Sequence, residues 1–214
     1  MDKSYKTLYD YGIAEIEIKR SRFIGHAKPV SSEEEAIKFI EEIRSKHRMA
    51  THNVYAYTIG ENDEIQRFSD DREPSGTAGI PVLNVIKKEE LKNVAIVVTR
   101  YFGGILLGAG GLVRAYTKGA KVAIEAAGIV EKIPAQKVSL IFDYTLFGKL
   151  QNELLKKGYY IKNISYTDKV SIILHIEKEC LSDFQDFINE LTNKKCDIEI
   201  GEDVYLLKRN NSYI

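Results

Sequence analysis

The stretch NVAIVVTRYFGGILLGAGGLVRAY, residues 93–116, is the part of the chain around which the rest is read. Val94 to Thr99 is an apolar, β-branched run of strand length. Arg100, Tyr101 and Phe102 follow, and then five glycines fall within nine residues: Gly103, Gly104, Gly108, Gly110 and Gly111. A helical pattern takes over from about Leu112 and runs to about Ala127. Strand, glycine-rich turn and helix together form a geometry in which backbone N–H groups and a helix N-terminus can face an anion.

The charge around this stretch is one-sided. Between Leu91 and Ile124 there are five basic residues (Lys92, Arg100, Arg114, Lys118 and Lys121) and no acid. Arg114, Lys118 and Lys121 recur at i, i+4, i+7 and so share one face of the helix. Two familiar nucleotide fingerprints are excluded. The third glycine of a G-x-G-x-x-G motif would fall on Val113, and the lysine of a Walker A loop would fall on Ala109.

Composition is that of an ordinary globular protein: 214 residues, 44% hydrophobic and 29% charged. Formal net charge is zero, with 20 basic against 19 acidic residues up to Pro134 and 11 against 12 after it. Bulk electrostatics therefore do not draw the chain to nucleic acid, and any such site must be a local patch. Cys180 and Cys196 are too few for a disulfide framework and read as reduced, part-buried thiols. The opening MDKSYKTLYDYG has no apolar signal segment, and no run of 18 apolar residues occurs. A cytoplasmic protein with no membrane partner is expected.

Ile13 to Lys19 alternates apolar and charged, and Phe23 to Val30 continues as a second strand after Arg20-Ser21-Arg22. Ser32 and Glu35 form a capping box for a helix to about His47, with Ala36, Ile37, Ile40 and Ile43 as its buried stripe. Asn53 to Ile59 is a strand with Val54, Ala56 and Thr58 on one face and Tyr55, Tyr57 and Ile59 on the other. A long polar loop, Asp70 to Gly79, precedes a short helix that includes Pro81. Gly128 to Gln136 reads as a linker. After it come strand Lys137–Asp143, helix Leu146–Lys157, a hairpin about Thr167-Asp168, helix Leu181–Thr192 and strand Cys196–Leu207. That βαββαβ order predicts a ferredoxin-like sandwich. The expected fold class is α+β, with domains at 1–132 and 137–214.

Two blocks carry a resemblance. Asp71-x-Glu73-Pro74-Ser75-Gly76-Thr77-Ala78-Gly79 is followed at the right distance by Val97-Val98-Thr99-Arg100-Tyr101-Phe102-Gly103-Gly104-x-x-Leu107-Gly108. Ala50-Thr51-His52-Asn53 adds a third, shorter match. The chain resembles the IMPACT/YigZ family over about residues 15 to 130, and its tail resembles the second domain of bacterial members. Arg72 departs from the pattern by standing where many relatives have glycine. If that position needs a positive φ, the start of the loop is affected. The resemblance implies a first domain like domain 2 of ribosomal protein S5 and a second like domain V of elongation factor G. It also implies a link to translation, since eukaryotic relatives compete for the activator of a kinase that phosphorylates an initiation factor.

The expected site is the cleft between the 70–79 loop and the 100–111 turn. In the favoured account it binds RNA or a ribosome- or translation-associated protein, with no DNA sequence specificity, no cofactor and no metal. Arg100, Arg114, Lys118 and Lys121 would contact phosphates, while Gly103, Gly104, Gly108 and Gly110 let the backbone approach. Tyr101 is a stacking candidate and Phe102 is expected in the core. A second account is an enzyme handling phosphate. There His52, Asp71, Glu73, Ser75, Gly76 and Thr77 would join Asp70 and Arg100, with Arg100 stabilising charge and an acid holding Mg²⁺. The plainer account of the loop makes Asp71 and Glu73 acceptors of backbone N–H groups and Ser75 and Thr77 caps of the next helix. A third account is a protein-interaction adaptor using the tail's open sheet face, with Tyr159, Tyr160 and Tyr166 exposed there.

Overall fold

A computed structural model describes residues 3–210 and 212–213, so the domain limits expected at 1 and 214 lie outside it. The chain divides into two compact units, one of Tyr5–Val130 and one of the chain from residue 131 onward together with the described residues before Tyr5. Both are mixed α and β, with five helices and two antiparallel sheets in all among the described residues.

The first unit opens with a short strand β1 (Tyr5–Leu8), after which the Tyr9 N–H donates to the Gly128 carbonyl at 2.8 Å. Strands β2 (Gly12–Ile18) and β3 (Ser21–Pro29) form the expected hairpin. Its turn is Lys19-Arg20, both at positive φ (47° and 64°), the twist that a two-residue hairpin demands. Helix α1 (Glu33–Lys46) follows, with the Ser32 hydroxyl accepting the Glu35 N–H at 3.2 Å. The reciprocal half of the box is shifted by one residue, because the Glu35 carboxylate takes the N–H and hydroxyl of Ser31. Phe39, rather than the expected Ile37, completes the buried stripe, and Ile37 is exposed.

Strands β4 (His52–Ile59), β5 (Ile65–Ser69) and β6 (Val94–Tyr101), with helices α2 (Gly79–Lys88) and α3 (Ala109–Ala127), complete the unit. Strand order is β2-β3-β6-β4-β5, so the apolar run Val94–Val98 is central and buried on both faces. Its alternation divides two cores. Val94, Ile96 and Val98 meet Val54, Ala56 and the helices α2 and α3, whereas Ala95 and Val97 meet Tyr57, Ile59 and α1.

In the second unit β7 (Ile129–Phe142), α4 (Tyr144–Lys156), β8 (Ile161–Tyr166), β9 (Val170–Glu177), α5 (Leu181–Thr192) and β10 (Cys196–Arg209) run in the βαββαβ order, with β11 (Ser212–Tyr213) appended. Sheet order is β11-β10-β7-β9-β8. The expected linker at 128–136 is mostly strand, which corrects that reading. Pro134 lies opposite Tyr205 of β10, and the ladder to β9 begins only at Ala135, so the missing proline N–H costs no bond on that side. Of the tyrosines expected to be exposed in the tail, Tyr160 and Tyr166 are exposed and Tyr159 is half-buried. Tyr159 meets Phe184 and Phe187 of α5, and Tyr166 meets Tyr144 and Phe147 of α4.

Candidate functional site

Antiparallel pairing sets His52 of β4 directly opposite Arg100 of β6. The 70–79 loop folds over this pair and buries Glu73 against it. Glu73 Oε1 accepts from Arg100 Nη1 at 2.6 Å and from the Tyr116 hydroxyl of α3 at 2.7 Å, with His52 Nε2 at 3.7 Å. The Arg100 guanidinium lies between the rings of Phe23 and Phe102, at 5.5 and 5.4 Å from their centroids. His52 Nδ1 is 2.7 Å from the Asp71 carbonyl, which can only accept, so that nitrogen carries a proton. Burial, and then the Glu73 carboxylate, push the Tyr116 hydroxyl far above its ordinary value, so it stays a donor.

The loop's other polar groups hold its shape. Asp70 accepts N–H bonds from Gly76, Ala78 and Gly79 at 2.9, 3.1 and 2.7 Å and so caps the start of α2. Asp71 Oδ2 accepts the Asn53 N–H at 2.6 Å. The Thr77 hydroxyl donates to the Pro74 carbonyl at 2.6 Å and is buried, whereas Ser75 is exposed. The cap of α2 is therefore Asp70, not Ser75 or Thr77, and Glu73 accepts side-chain donors rather than the backbone. Asp71 and Arg72 both sit at positive φ, 42° and 71°, so the position where the resemblance places glycine does have the conformation glycine favours.

The glycine turn is open. A Cβ on Gly103 would lie 2.0 Å from the Arg20 carbonyl oxygen, so that position admits only glycine. Gly104 and Gly108 take positive φ, 82° and 70°, and a Cβ on either would meet nothing within 4 Å. Gly108 is the N-cap of α3, which starts three residues before the expected Leu112, with no side chain capping it and no acid in its first turn. Arg114 folds back over this turn, its Nη1 3.7 Å from where a Gly110 Cβ would be. Lys118 is exposed and Lys121 half-buried. Phe102, expected in the core, is 45% exposed, and Leu106 is 83% exposed. The strand's apolar alternation ends at Tyr101, so Phe102 has no sheet face to pack on.

Tyr101 is half-buried, on the opposite sheet face from Arg100. Its hydroxyl is 3.0 Å from His47 Nδ1, and the Arg22 guanidinium lies 5.5 Å from its ring centroid. His47 ends α1, and its ring lies 5.2 Å from that of His26, whose Nδ1 is 2.8 Å from the Tyr11 hydroxyl. His26 is fully buried, and burial, with His47 and Lys46 nearby, pulls its pKa down to about 4. Among the described residues no three His, Cys, Asp or Glu side chains converge as a metal site requires.

Ten of the expected site residues fall into two sets. His52, Asp71, Glu73, Thr77 and Arg100 form a largely buried bracket that ties loop, sheet and α3 together. Gly104, Gly108, Gly110, Arg114 and Lys118 form an accessible surface. Tyr116 and Phe23 are central to the bracket and stood outside the expected set, while Asp70, expected as a carboxylate of the enzyme account, serves as a cap. Only the heptad-like placement of Tyr116 beside Leu112 on the inward face of α3 hinted at its burial.

Residues 19–124 match the Impact N-terminal domain, and residues 140–195 match a domain of unknown function, DUF1949. The IMPACT family member YvyE of Bacillus subtilis is 48% identical over 208 residues, covering 97% of this chain and 96% of that protein. YigZ of Escherichia coli is 37% identical over 152 residues, 67% of this chain and 74% of the relative. Human Protein IMPACT is 38% identical over 103 residues, 46% of this chain but 32% of its own length. A solved structure described as a crystal structure of a hypothetical protein aligns with TM-score 0.60 and 29% identity, covering 94% of this chain and 99% of that one. With its two expected motif blocks inside the matched domain and a near-full-length relative of high identity, the chain belongs to the IMPACT family.

Proposed function

We propose that this IMPACT-type protein is a cytoplasmic RNA- or ribosome-linked binding protein with a regulatory role in translation. Its contact surface is the turn 102–111 together with Arg114 and Lys118 of α3. The observation that carries this reading is the uncapped α3 N-terminus, reached through two positive-φ glycines with open space above them and overhung by Arg114. Lys118 extends the cationic face, and exposed Phe102 offers a ring for a base to stack on. Arg100 acts indirectly here, by holding Phe102 and the loop in place through Glu73.

The alternative phosphate-handling enzyme needs a carboxylate free to work in the 70–77 loop. Asp70, Asp71 and Glu73 all accept hydrogen bonds that shape the fold, which favours binding over turnover. The β10-β7-β9-β8 order is read as ferredoxin-like, and the three-layered first unit as S5-domain-2-like. No described helix is long and apolar enough to cross a membrane, and a membrane partner is not part of the proposal. Shape and phosphates are the recognised features, so no DNA sequence specificity follows.

The test is fluorescence anisotropy with an unstructured RNA oligonucleotide at two salt concentrations. Wild type should bind, and weaken as salt rises. Arg114→Glu/Lys118→Glu should lose about tenfold or more and show a shallower salt dependence. Unchanged affinity in this double variant, with an unaltered melting curve, would sink the reading.

A further inference from the structure

Between α2 and α3 lies a groove of about 290 Å³, and of the residues expected to contact phosphates only Lys121 lines it. Two rows of side chains line it. Ile80, Asn84 and Lys88 recur at i, i+4, i+8 on α2, and Val113, Thr117 and Lys121 recur at the same spacing on α3. Each row runs from apolar to uncharged polar to lysine. The single strand β6 between the two helices makes them run in the same sense, so like ends of the rows lie side by side. The groove therefore has an apolar end, with Pro81 and Val85 behind it, and a cationic end. Ile80 and Val113 are 39% and 38% exposed there, a large share for branched aliphatic residues on packed helices. None of the described lining residues carries a carboxylate; beyond the lining, Lys87 and Glu89 flank Lys88 on α2, and exposed Glu125 lies one turn past Lys121 on α3.

We infer that this groove docks an acidic, amphipathic helical segment of a partner protein. Apolar side chains of the segment sit between Ile80 and Val113, and its carboxylates meet Lys88 and Lys121. Charge complementarity selects an acidic partner. The aliphatic lining selects a peptide over a nucleic acid, because a base-binding slot relies on aromatic rings to stack against and none of the described lining residues carries one. The inference stands apart from the RNA reading, whose carriers are the 102–111 turn, Arg114 and Lys118.

The experiment measures anisotropy of a labelled synthetic helix of about 15 residues, with leucines at i, i+4 and i+7 flanked by glutamates. A peptide of the same composition in scrambled order is the comparison. Full-length wild type should prefer the amphipathic order by about tenfold. The neutral double variant Ile80→Asn/Val113→Asn should abolish that preference while holding RNA affinity within about twofold. Lys88→Glu, at an exposed position, should weaken the amphipathic peptide as well. Equal binding of the two peptides, no binding of either, or indifference to both variants would overturn the inference. Loss of RNA affinity in the neutral variant would assign the groove to nucleic acid and overturn it too. Failure of the RNA reading itself would show only in the Arg114→Glu/Lys118→Glu arm.

Discussion

Arg72 holds a backbone conformation that a side chain resists. Its φ of 71° follows an Asp71 φ of 42°, so two consecutive non-glycine residues sit in the left-handed region. The side chain is exposed, and its guanidinium lies 4.0 Å from the Asp71 carboxylate at the surface, an interaction of little value. The loop tolerates the strain because its neighbours are pinned: Asp71 to Asn53, Glu73 to Arg100, and Asp70 to three N–H groups. Arg72→Gly should therefore raise stability by about 1 kcal/mol, less some entropy returned to the unfolded chain. Urea denaturation would read this as a higher midpoint at unchanged slope, and a lower midpoint would refute the strain account.

At the scale of elements, the two helix starts that flank the site are built oppositely. The first turn of α2 is filled from within the chain by the Asp70 carboxylate, eight and nine residues before the N–H groups of Ala78 and Gly79 that it accepts. That of α3 is left open under Arg114. The same backbone donors serve structure in one place and face solvent in the other. Asp70→Ala should cost about 1–2 kcal/mol, since it leaves these N–H groups without their carboxylate. Asp70→Asn should recover part of that loss, because an amide oxygen still accepts. Equal stability of wild type and Asp70→Ala in thermal or chemical melts would remove Asp70 from the role of cap.

For the molecule as a whole, the core beneath α1 makes stability depend on pH. His26 is fully buried and neutral, with its pKa depressed from 6.5 to about 4 by burial, and His47 beside it is lowered as well. Tyr11 against His26, Tyr101 against His47, and Lys46 and Arg22 nearby are the titratable or charged groups around the pair. Between pH 6.5 and about 4 the unfolded chain takes up the proton that the folded chain refuses. Stability is thus complete above pH 6.5 and falls on acidification, by up to about 3 kcal/mol for His26 once the pH reaches 4. Denaturation midpoints measured across that window should decline for wild type. In His26→Leu the upper part of the decline, above the range where carboxylates titrate, should flatten, whatever the variant's absolute stability. An identical slope in both proteins would contradict this assignment.

Local pattern was enough for much of this. Alternation and period showed the strand at 94–99, the helix at 112–127, the faces of 53–59 and the βαββαβ order of the tail, because each rests on neighbours within a turn or a strand. The motif blocks were enough to identify the family. Tertiary structure decided what those blocks do. That Glu73 is a buried partner of Arg100 and Tyr116, and Asp70 a cap, depends on the loop folding across β4 and β6, which brings together residues tens of positions apart. Edge strand β5 was missed because its half-exposed residues show no clean alternation, and the linker was misread because Pro134 breaks strands in general but not where one side of the ladder is absent. Phe102 could be placed only in three dimensions, since an aromatic at a strand's end is buried or exposed according to whether a sheet face continues beneath it. Short-range periodicity is written in the chain, whereas burial and pairing of polar groups belong to contacts that exist only once the chain has closed on itself.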